Sequence, residues 1–370
     1  MKKIGIVTLY GNYNIGNKLQ NYAVERIYRN LNLESYTIYY ALNELEATGA
    51  SKQQLKIFLK EIMVKLGIRN KRIDKYILDK KRIEKIAEFS NRFLNLAEQI
   101  SFNKIPIDLK KQYHFFSVGS DQVWRNWTDT VDEMRYFLLS FSDPEQRICI
   151  APSIGRIEIP GKYENLFKSE LKQFSLLSCR EDSGSKLIQE LTGRQVVTLS
   201  DPTMALMQKE WLDISVKPDF ELPDKFIMVY LLGNENMNII REISKISRET
   251  GLPIINIYDK DNYPQYYAVG PCEFIYLVKR ARLICTNSFH GCVFSILFNI
   301  NFICYERQDY RANMTDRVVT LLNKFHLNNR FSSTIEDSNI FLTDFREANR
   351  ILEVERNKLY AYVKQAVQEE

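Results

Sequence analysis

Ten short apolar, β-branched runs recur along the chain: IGIVTL, YTIYY, HFFSV, RICIA, LLSCR, VVTL, FIMVYLL, PIINIY, RLICT and NFICY. Between them lie amphipathic stretches of about a dozen residues. Strands alternating with helices are the mark of parallel sheets, because a parallel pair cannot be closed by a tight turn and needs a long crossover. Several runs are apolar throughout, which suits strands covered on both faces. Residues 17–31, 162–174, 183–191, 237–250, 271–280 and 289–297 carry the helical periodicity. The fold class is therefore α/β.

A chain of 370 residues exceeds what one ordinary hydrophobic core organises, so two domains are expected. The segment WLDISVKPDFELPD, with two prolines and polar residues ahead of the run at Phe226, marks a boundary near 209–223. The expected units are 1–208 and 209–345, followed by a closing helix over 346–370 with the apolar stripe Ile351, Val354, Leu359, Tyr362 and Val363. Residues 51–99 differ from the rest. Leu55, Phe58, Leu59, Ile62, Met63 and Leu66, then Ile73, Ile77, Ile83, Ile86, Phe89 and Phe93, recur at helical spacing. They predict two long basic helices split near Gly67, a strand-free insertion in the first domain.

Charge narrows the function. The net charge is +5, yet residues 51–100 alone hold 13 Lys and Arg against 6 Asp and Glu, so the remainder is slightly acidic. A basic surface spanning the fold, as nucleic-acid binding requires, is not expected. The six cysteines form no CxxC pair and no zinc-ligand spacing, so no metal site is expected and the thiols read as buried and reduced. The start MKKIGIVTLYGNYNIGNKL has too short an apolar run for a signal peptide, and no stretch approaches the ~20 apolar residues of a membrane span. The expected location is cytoplasmic.

Four turns at strand ends can carry chemistry. In GIVTLYGNYNIGNKLQNYAV a strand runs into a turn rich in glycine and asparagine, placing Asn14 and Asn17 beside a helix start, where anions are favoured; a plain strand–helix turn explains the residues as well. Neither GxGxxG nor GxxxxGK[ST] is present. In HFFSVGSDQVW, Asp121 and Gln122 follow a strand; Asp121 can orient a sugar hydroxyl or accept its proton, while Ser120 and Asp121 are also natural helix caps, the reading the residues alone favour. In LLSCREDSGSKLI, Arg180 can clamp phosphate or carboxylate, or pair with Glu181 or Asp182 at the surface. In RLICTNSFHGCVFSILFN, Asn287 and Ser288 supply caps and His290 sits in the first turn of an apolar helix. Of the three histidines, His114 and His326 read as structural, whereas His290 lies where a doubly wound sheet presents its ligands, a capped structural histidine being the alternative.

GNYNIGNKLQNYA, VGSDQVW, CREDSG, the DPT of Asp201–Thr203 and TNSFHGCVFSILFN, in this order and spacing, resemble the polysaccharide pyruvyl transferase family over about residues 3–330. The resemblance implies two Rossmann-like domains facing a cleft, a GT-B-like architecture. It also implies phosphoenolpyruvate as donor substrate without a further cofactor, and a pyruvate ketal on a saccharide as product. By the same resemblance Arg180 and Arg317 are the leading donor-binding cations; Lys18 and Arg156 are weaker candidates, each of which also reads as a surface residue. His290 is the general acid or base, and Asn287, Ser288, Phe289 and Gly291 hold the donor at the helix start. Asn14, Asn17, Asp121 and Gln122 are assigned to the acceptor.

Two positions depart from the family pattern: Ser288 stands where many members carry an arginine, and Pro152-Ser153-Ile154-Gly155 stands where many read ASFG. Two other classes therefore stay open, a nucleotide-sugar glycosyltransferase of the same gross fold and a non-catalytic saccharide-binding relative. The family's cell-envelope role implies an acceptor carried on a lipid diphosphate or on a nucleotide, and it makes the basic insertion either a contact with anionic lipid at the inner membrane face or a solvated helical face. The acceptor sugar and the oligomeric state are not encoded in any motif.

Overall fold

Strand order sets where a ligand can go. In the computed structural model, which describes residues 1–11, 14–40, 59–68, 70–102, 104–125, 127, 129–156, 158–233, 236–307 and 314–368, strands β1 (Lys3–Val7), β2 (Glu34–Tyr40), β3 (Leu96–Ile100), β4 (Phe115–Val118) and β5 (Arg147–Cys149) form one sheet in the order β3-β2-β1-β4-β5. A two-stranded pair follows, β6 (Ser178–Cys179) with β7 (Val197–Thr198). Strands β8 (Ile227–Tyr230), β9 (Ile254–Asn256), β10 (Leu283–Thr286) and β11 (Phe302–Cys304) form a second sheet in the order β11-β10-β8-β9. Every ladder is parallel. Both sheets are Rossmann-like, each reversing direction beside its first strand, between β1 and β4 and between β8 and β10. Such a reversal leaves a crevice at the carboxyl ends of the strands.

The six helices read from periodicity form close to their expected ends: α1 (Ile15–Asn30), α3 (Gly161–Leu171), α4 (Asp182–Thr192), α5 (Met237–Thr250), α6 (Pro271–Arg280) and α7 (Phe289–Phe298), with α2 (Lys71–Phe93) in the insertion, α8 (Met314–Lys324) and the closing α9 (Arg346–Ala366). Asn14 caps α1 by accepting from the Gly16 N–H, and Asn70 caps α2 through the N–H groups of Arg72 and Ile73. One apolar cluster runs from Ile4 and Ile6 of β1 through Trp211 to Phe294 and Ile284 of the second half. Tyr22 meets Trp211 at 5.5 Å between ring centroids, and Trp211 meets Phe294 at 5.0 Å. The two sheets thus share an apolar core. The closing helix α9 returns to the first half, where Tyr362 Oη lies 3.6 Å from Cys149 Sγ and Glu355 accepts from Ser200 at 2.7 Å.

The insertion departs from its reading in two ways. It ends in β3, an edge strand whose sequence LAEQI lacks the apolar run of a covered strand, so the expectation of a strand-free insertion is corrected. Its long helix α2 also faces the second half. Arg82, 4% exposed, donates at 2.8 Å to the carbonyls of both Ile257 and Tyr267. Lys85 pairs with Glu273 at 2.6 Å, Asp79 with Lys260 at 2.8 Å, and Lys75 with Asp261. Of the first expected helix, residues 59–65 are helical, while Leu55 and Phe58 lie outside the described residues. Five of the six cysteines are buried, Cys272 is half-buried, and none is bonded to another. Among the described residues no helix is long and apolar enough to cross a membrane.

Candidate active-site cleft

The two crevices face each other and enclose a cleft of about 620 Å³. The turn after β1 and the start of α1 contribute Asn14 and Asn17, the turn after β4 Asp121, Gln122 and Trp127, the last residue of β8 Tyr230, the loop after β9 Tyr258, and the turn after β10 with the start of α7 Asn287 through His290; Arg307 and Arg317 also line the wall. Among the described residues no group of three or more His, Cys, Asp or Glu is arranged to hold a metal ion.

The turn after β10 is built to place His290. Thr286 Oγ1 donates to the Tyr230 carbonyl at 2.7 Å and accepts from the Ser288 N–H at 3.0 Å. The Asn287 amide accepts from the Leu232 N–H at 2.7 Å and donates to the Leu232 carbonyl at 2.9 Å, tying the turn to the loop after β8. Ser288 Oγ accepts from the Gly291 N–H at 3.4 Å and so caps α7. Gly291 has no room for a side chain, because a Cβ there would overlap Thr286. His290, the second residue of α7, is 6% exposed, and its imidazole is wedged against Gly16 in the first turn of α1. Its Nε2 is buried without a hydrogen-bond partner, 3.8 Å from Asp201 Oδ2. Burial pushes the imidazole pKa below its ordinary value of 6.5, and the pull of Asp201 and Asp121 opposes but does not reverse that shift.

Behind His290 lies a buried charge network. Asp201 Oδ2 accepts from Arg180 at 2.6 Å and from Ser120 Oγ at 3.0 Å, while Oδ1 takes the Thr203 N–H at 3.0 Å and its hydroxyl at 2.7 Å. Burial acts to raise the Asp201 carboxyl, but His290, Arg180 and Thr203 together hold it at about 2. Arg180 also reaches Asp121 Oδ1 at 3.3 Å, and Arg317 lies 3.6 Å from the same oxygen. Both guanidinium groups lie over the Phe289 ring, at 4.4 and 5.7 Å from its centroid. Burial and the charge of Arg180 lower Arg317 to about 10, still a cation at neutral pH. The site therefore alternates sign from Asp201 to Arg180, Asp121 and Arg317, and His290, Asp121 and Arg317 all reach the cleft.

The residues read from sequence fall into two groups. His290, Asn14, Asn17, Asp121, Gln122, Asn287, Ser288, Phe289 and Arg317 line the cleft, whereas Gly291, Arg180, Lys18 and Arg156 are not among its lining residues. Arg180 is 3% exposed and lies beneath the surface between two carboxylates. Lys18 is 1% exposed; its Nζ sits 3.5 Å from the Tyr10 ring centroid without a hydrogen-bond partner, and burial lowers its pKa to about 7. Asp121 is not a helix cap. It adopts φ 71° and faces the two arginines. Nor does Arg180 pair with Glu181, whose Oε1 instead accepts from Ser153 Oγ and the N–H groups of Ile154 and Gly155, holding the loop that replaces ASFG. Gly155 has φ +59° and no space for a Cβ beside Gln122. His114 accepts from the Lys3 N–H at 3.0 Å between strands, a structural role. Asp201, Arg307, Trp127, Tyr230 and Tyr258 join the site without being among the residues that the sequence motifs single out for it. For Asp201 the signal was present in the DPT triplet.

No curated protein sequence matches the chain. Among solved structures, UDP-N-acetylglucosamine 2-epimerase from Rickettsia bellii aligns at 10% identity with a TM-score of 0.46, covering 100% of this chain and 97% of that one. UDP-GlcNAc 2-epimerase from Methanocaldococcus jannaschii, in complex with UDP-GlcNAc and UDP, aligns at 15% identity with a TM-score of 0.42, covering 96% and 99%. The sequence model of the polysaccharide pyruvyl transferase family matches residues 14–309. That span takes in the turns at 119–122, 180–181, 201–203 and 286–291, which meet at and beneath the cleft, and on it the chain belongs to the polysaccharide pyruvyl transferase family.

Proposed function

We propose that the chain transfers the pyruvyl group of phosphoenolpyruvate to two hydroxyls of one sugar in a polysaccharide precursor, forming a pyruvate ketal and releasing phosphate. The observation that carries this reading is the position of His290, whose imidazole lines a cleft that also holds Arg317 and Arg307. Phosphoenolpyruvate concentrates a carboxylate and a phosphate on three carbons. Such a ligand calls for cations and oriented N–H groups, and the arginines together with the start of α7 supply both. Ser288, in place of the family's arginine, is occupied as the cap of α7. Arg317, in the cleft and over Phe289, takes the cation's place.

The chemistry follows from the charge. In the free protein the depressed pKa leaves His290 neutral. An arriving polyanion favours its protonated form, so donor and proton enter together. The imidazolium gives its proton to the donor's methylene carbon, which becomes a methyl group and leaves an oxocarbenium-like carbon between carboxylate and phosphate. One sugar hydroxyl adds to that carbon. Loss of the C–O bond to phosphate then lets the second hydroxyl add and close the ketal. Of the two hydroxyl protons, one returns to His290 and the other leaves with phosphate, so one donor and one diol give one ketal and one phosphate with no redox change. Asp121 and Gln122, at the carboxyl end of β4, are assigned to orient the hydroxyls.

The test is phosphate release from phosphoenolpyruvate, without any nucleotide, across a panel of galactosides, glucosides and mannosides, free and lipid-linked. Stoichiometric phosphate and ketal support the reading. Turnover of a nucleotide sugar, or no turnover with any acceptor, overturns it.

A further inference from the structure

The cleft offers more aromatic surface than an anion site needs. Trp127 and Tyr258 are 39% and 36% exposed, and both line the cleft, the first following β4 of one sheet and the second β9 of the other. Each ring has contacts beyond its own backbone. The Trp127 indole N–H donates to the Gln122 carbonyl at 3.0 Å, its backbone N–H donates to Glu133 Oε1 at 3.0 Å, and the Arg125 guanidinium lies 4.7 Å from the ring centroid. Arg125 is itself anchored on the Gly155 carbonyl at 3.4 Å. The Tyr258 N–H donates to Asn256 Oδ1 at 3.0 Å. Its ring meets Tyr230 edge-on at 6.1 Å and is flanked by Arg82 at 5.2 Å. Rigid aromatic rings give contact area at low entropic cost.

Around the two rings stand amide side chains. Asn14, Asn17 and Gln122 line the same cleft, and Asn17 Oδ1 is buried without a hydrogen-bond partner. A buried acceptor left unpaired costs free energy until a donor reaches it. Flat apolar faces beside convergent amides match a molecule with a C–H face and a hydroxyl edge, which is the surface of a pyranose ring.

We propose that Trp127 and Tyr258 are the stacking platforms of a saccharide subsite, taking the C–H face of a pyranoside and turning its hydroxyls toward Asn17, Gln122 and His290. The subsite deepens the reading of the cleft as a sugar-modifying site by naming what holds the acceptor. Its binding step needs no donor.

The chain has three tryptophans. Trp124 and Trp211 are 2% and 0% exposed, so a saccharide that changes the emission reports on Trp127. The experiment titrates the full chain, without phosphoenolpyruvate, with methyl β-galactoside, methyl β-glucoside, methyl α-mannoside, lactose and cellobiose to about 50 mM, with uridine and adenosine in parallel. The expected result is a saturable emission change with at least one saccharide, abolished in Trp127→Phe, with affinity about tenfold weaker in Tyr258→Ala. Circular dichroism confirms that each variant is folded. No saturable change with any saccharide, an unchanged response in Trp127→Phe, or saturation by the nucleosides alone would overturn the proposal. Saccharide binding by a chain that releases no phosphate from phosphoenolpyruvate would leave the subsite standing and remove the donor reading. Phosphate release without the emission change would do the reverse.

Discussion

The imidazole of His290 packs on Gly16, leaving no space for a side chain there, so the helix after the first strand of one sheet fixes the histidine of the other. Gly16 is the second residue of α1, a position where alanine would ordinarily stabilise the helix by up to ~1 kcal/mol. Gly16→Ala is predicted to do the opposite, lowering thermal stability and slowing turnover at least about tenfold by displacing the ring. A variant more stable than the parent, with full activity, would show that the close approach is incidental.

Arg180 is predicted to act through stability before it acts on a ligand. Arg180→Met leaves the Asp201 and Asp121 carboxylates buried without their cation, and breaking a buried pair costs about 3–5 kcal/mol. Urea unfolding measures this. An unchanged midpoint with weakened phosphoenolpyruvate binding would instead make Arg180 a direct ligand. The pH dependence has a definite sign. Asp201 is held at about 2 against an ordinary value of 3.8, so its contribution is complete above about pH 4 and is lost as pH falls from there through 2.

The depressed pKa of His290 predicts proton uptake on donor binding. The free imidazole is neutral near pH 7, and a bound polyanion raises its pKa, so calorimetry in buffers of different ionisation enthalpy should register a fraction of a proton, up to about one, taken up per phosphoenolpyruvate. The uptake should vanish in His290→Gln beyond what the donor itself contributes. Equal uptake in parent and variant would assign the proton to another group.

Arg82 couples the insertion to the cleft. It holds the Ile257 and Tyr267 carbonyls and flanks Tyr258. Arg82→Met is expected to raise the KM for the acceptor several-fold while leaving that for phosphoenolpyruvate near its parent value. A parallel rise in both would point to a general loosening of the two halves.

Much of this architecture was legible in the sequence because burial writes a strong local signal. FIMVYLL, RLICT and NFICY are apolar on both faces, and they are the strands covered by helices. LAEQI was missed because an edge strand needs no such run. His290 was visible as the one histidine at a strand's carboxyl end. The pairings behind it were not, since Asp201 of the DPT triplet meets Arg180 across 21 positions and Ser120 across 81, and a single sequence carries no record of such contacts. The acids nearest to Arg180 in sequence, Glu181 and Asp182, misled for the same reason, Glu181 being taken up by the N–H groups of Ile154 and Gly155. In the sequence Arg82 is one charge of a basic helix, facing anionic lipid or solvent, and only the fold turns it inward.

In the proposed reaction His290 protonates the methylene carbon of phosphoenolpyruvate as a sugar diol is converted to a ketal. Turnover in deuterium oxide, followed by proton and phosphorus NMR, tests it most directly. The expected outcome is one phosphate released per ketal formed, a ketal methyl carrying a single deuterium, and a rate at least about a hundredfold lower in folded His290→Gln. Phosphate release without a ketal, a methyl group free of deuterium, or a parent-like rate in the variant would contradict it.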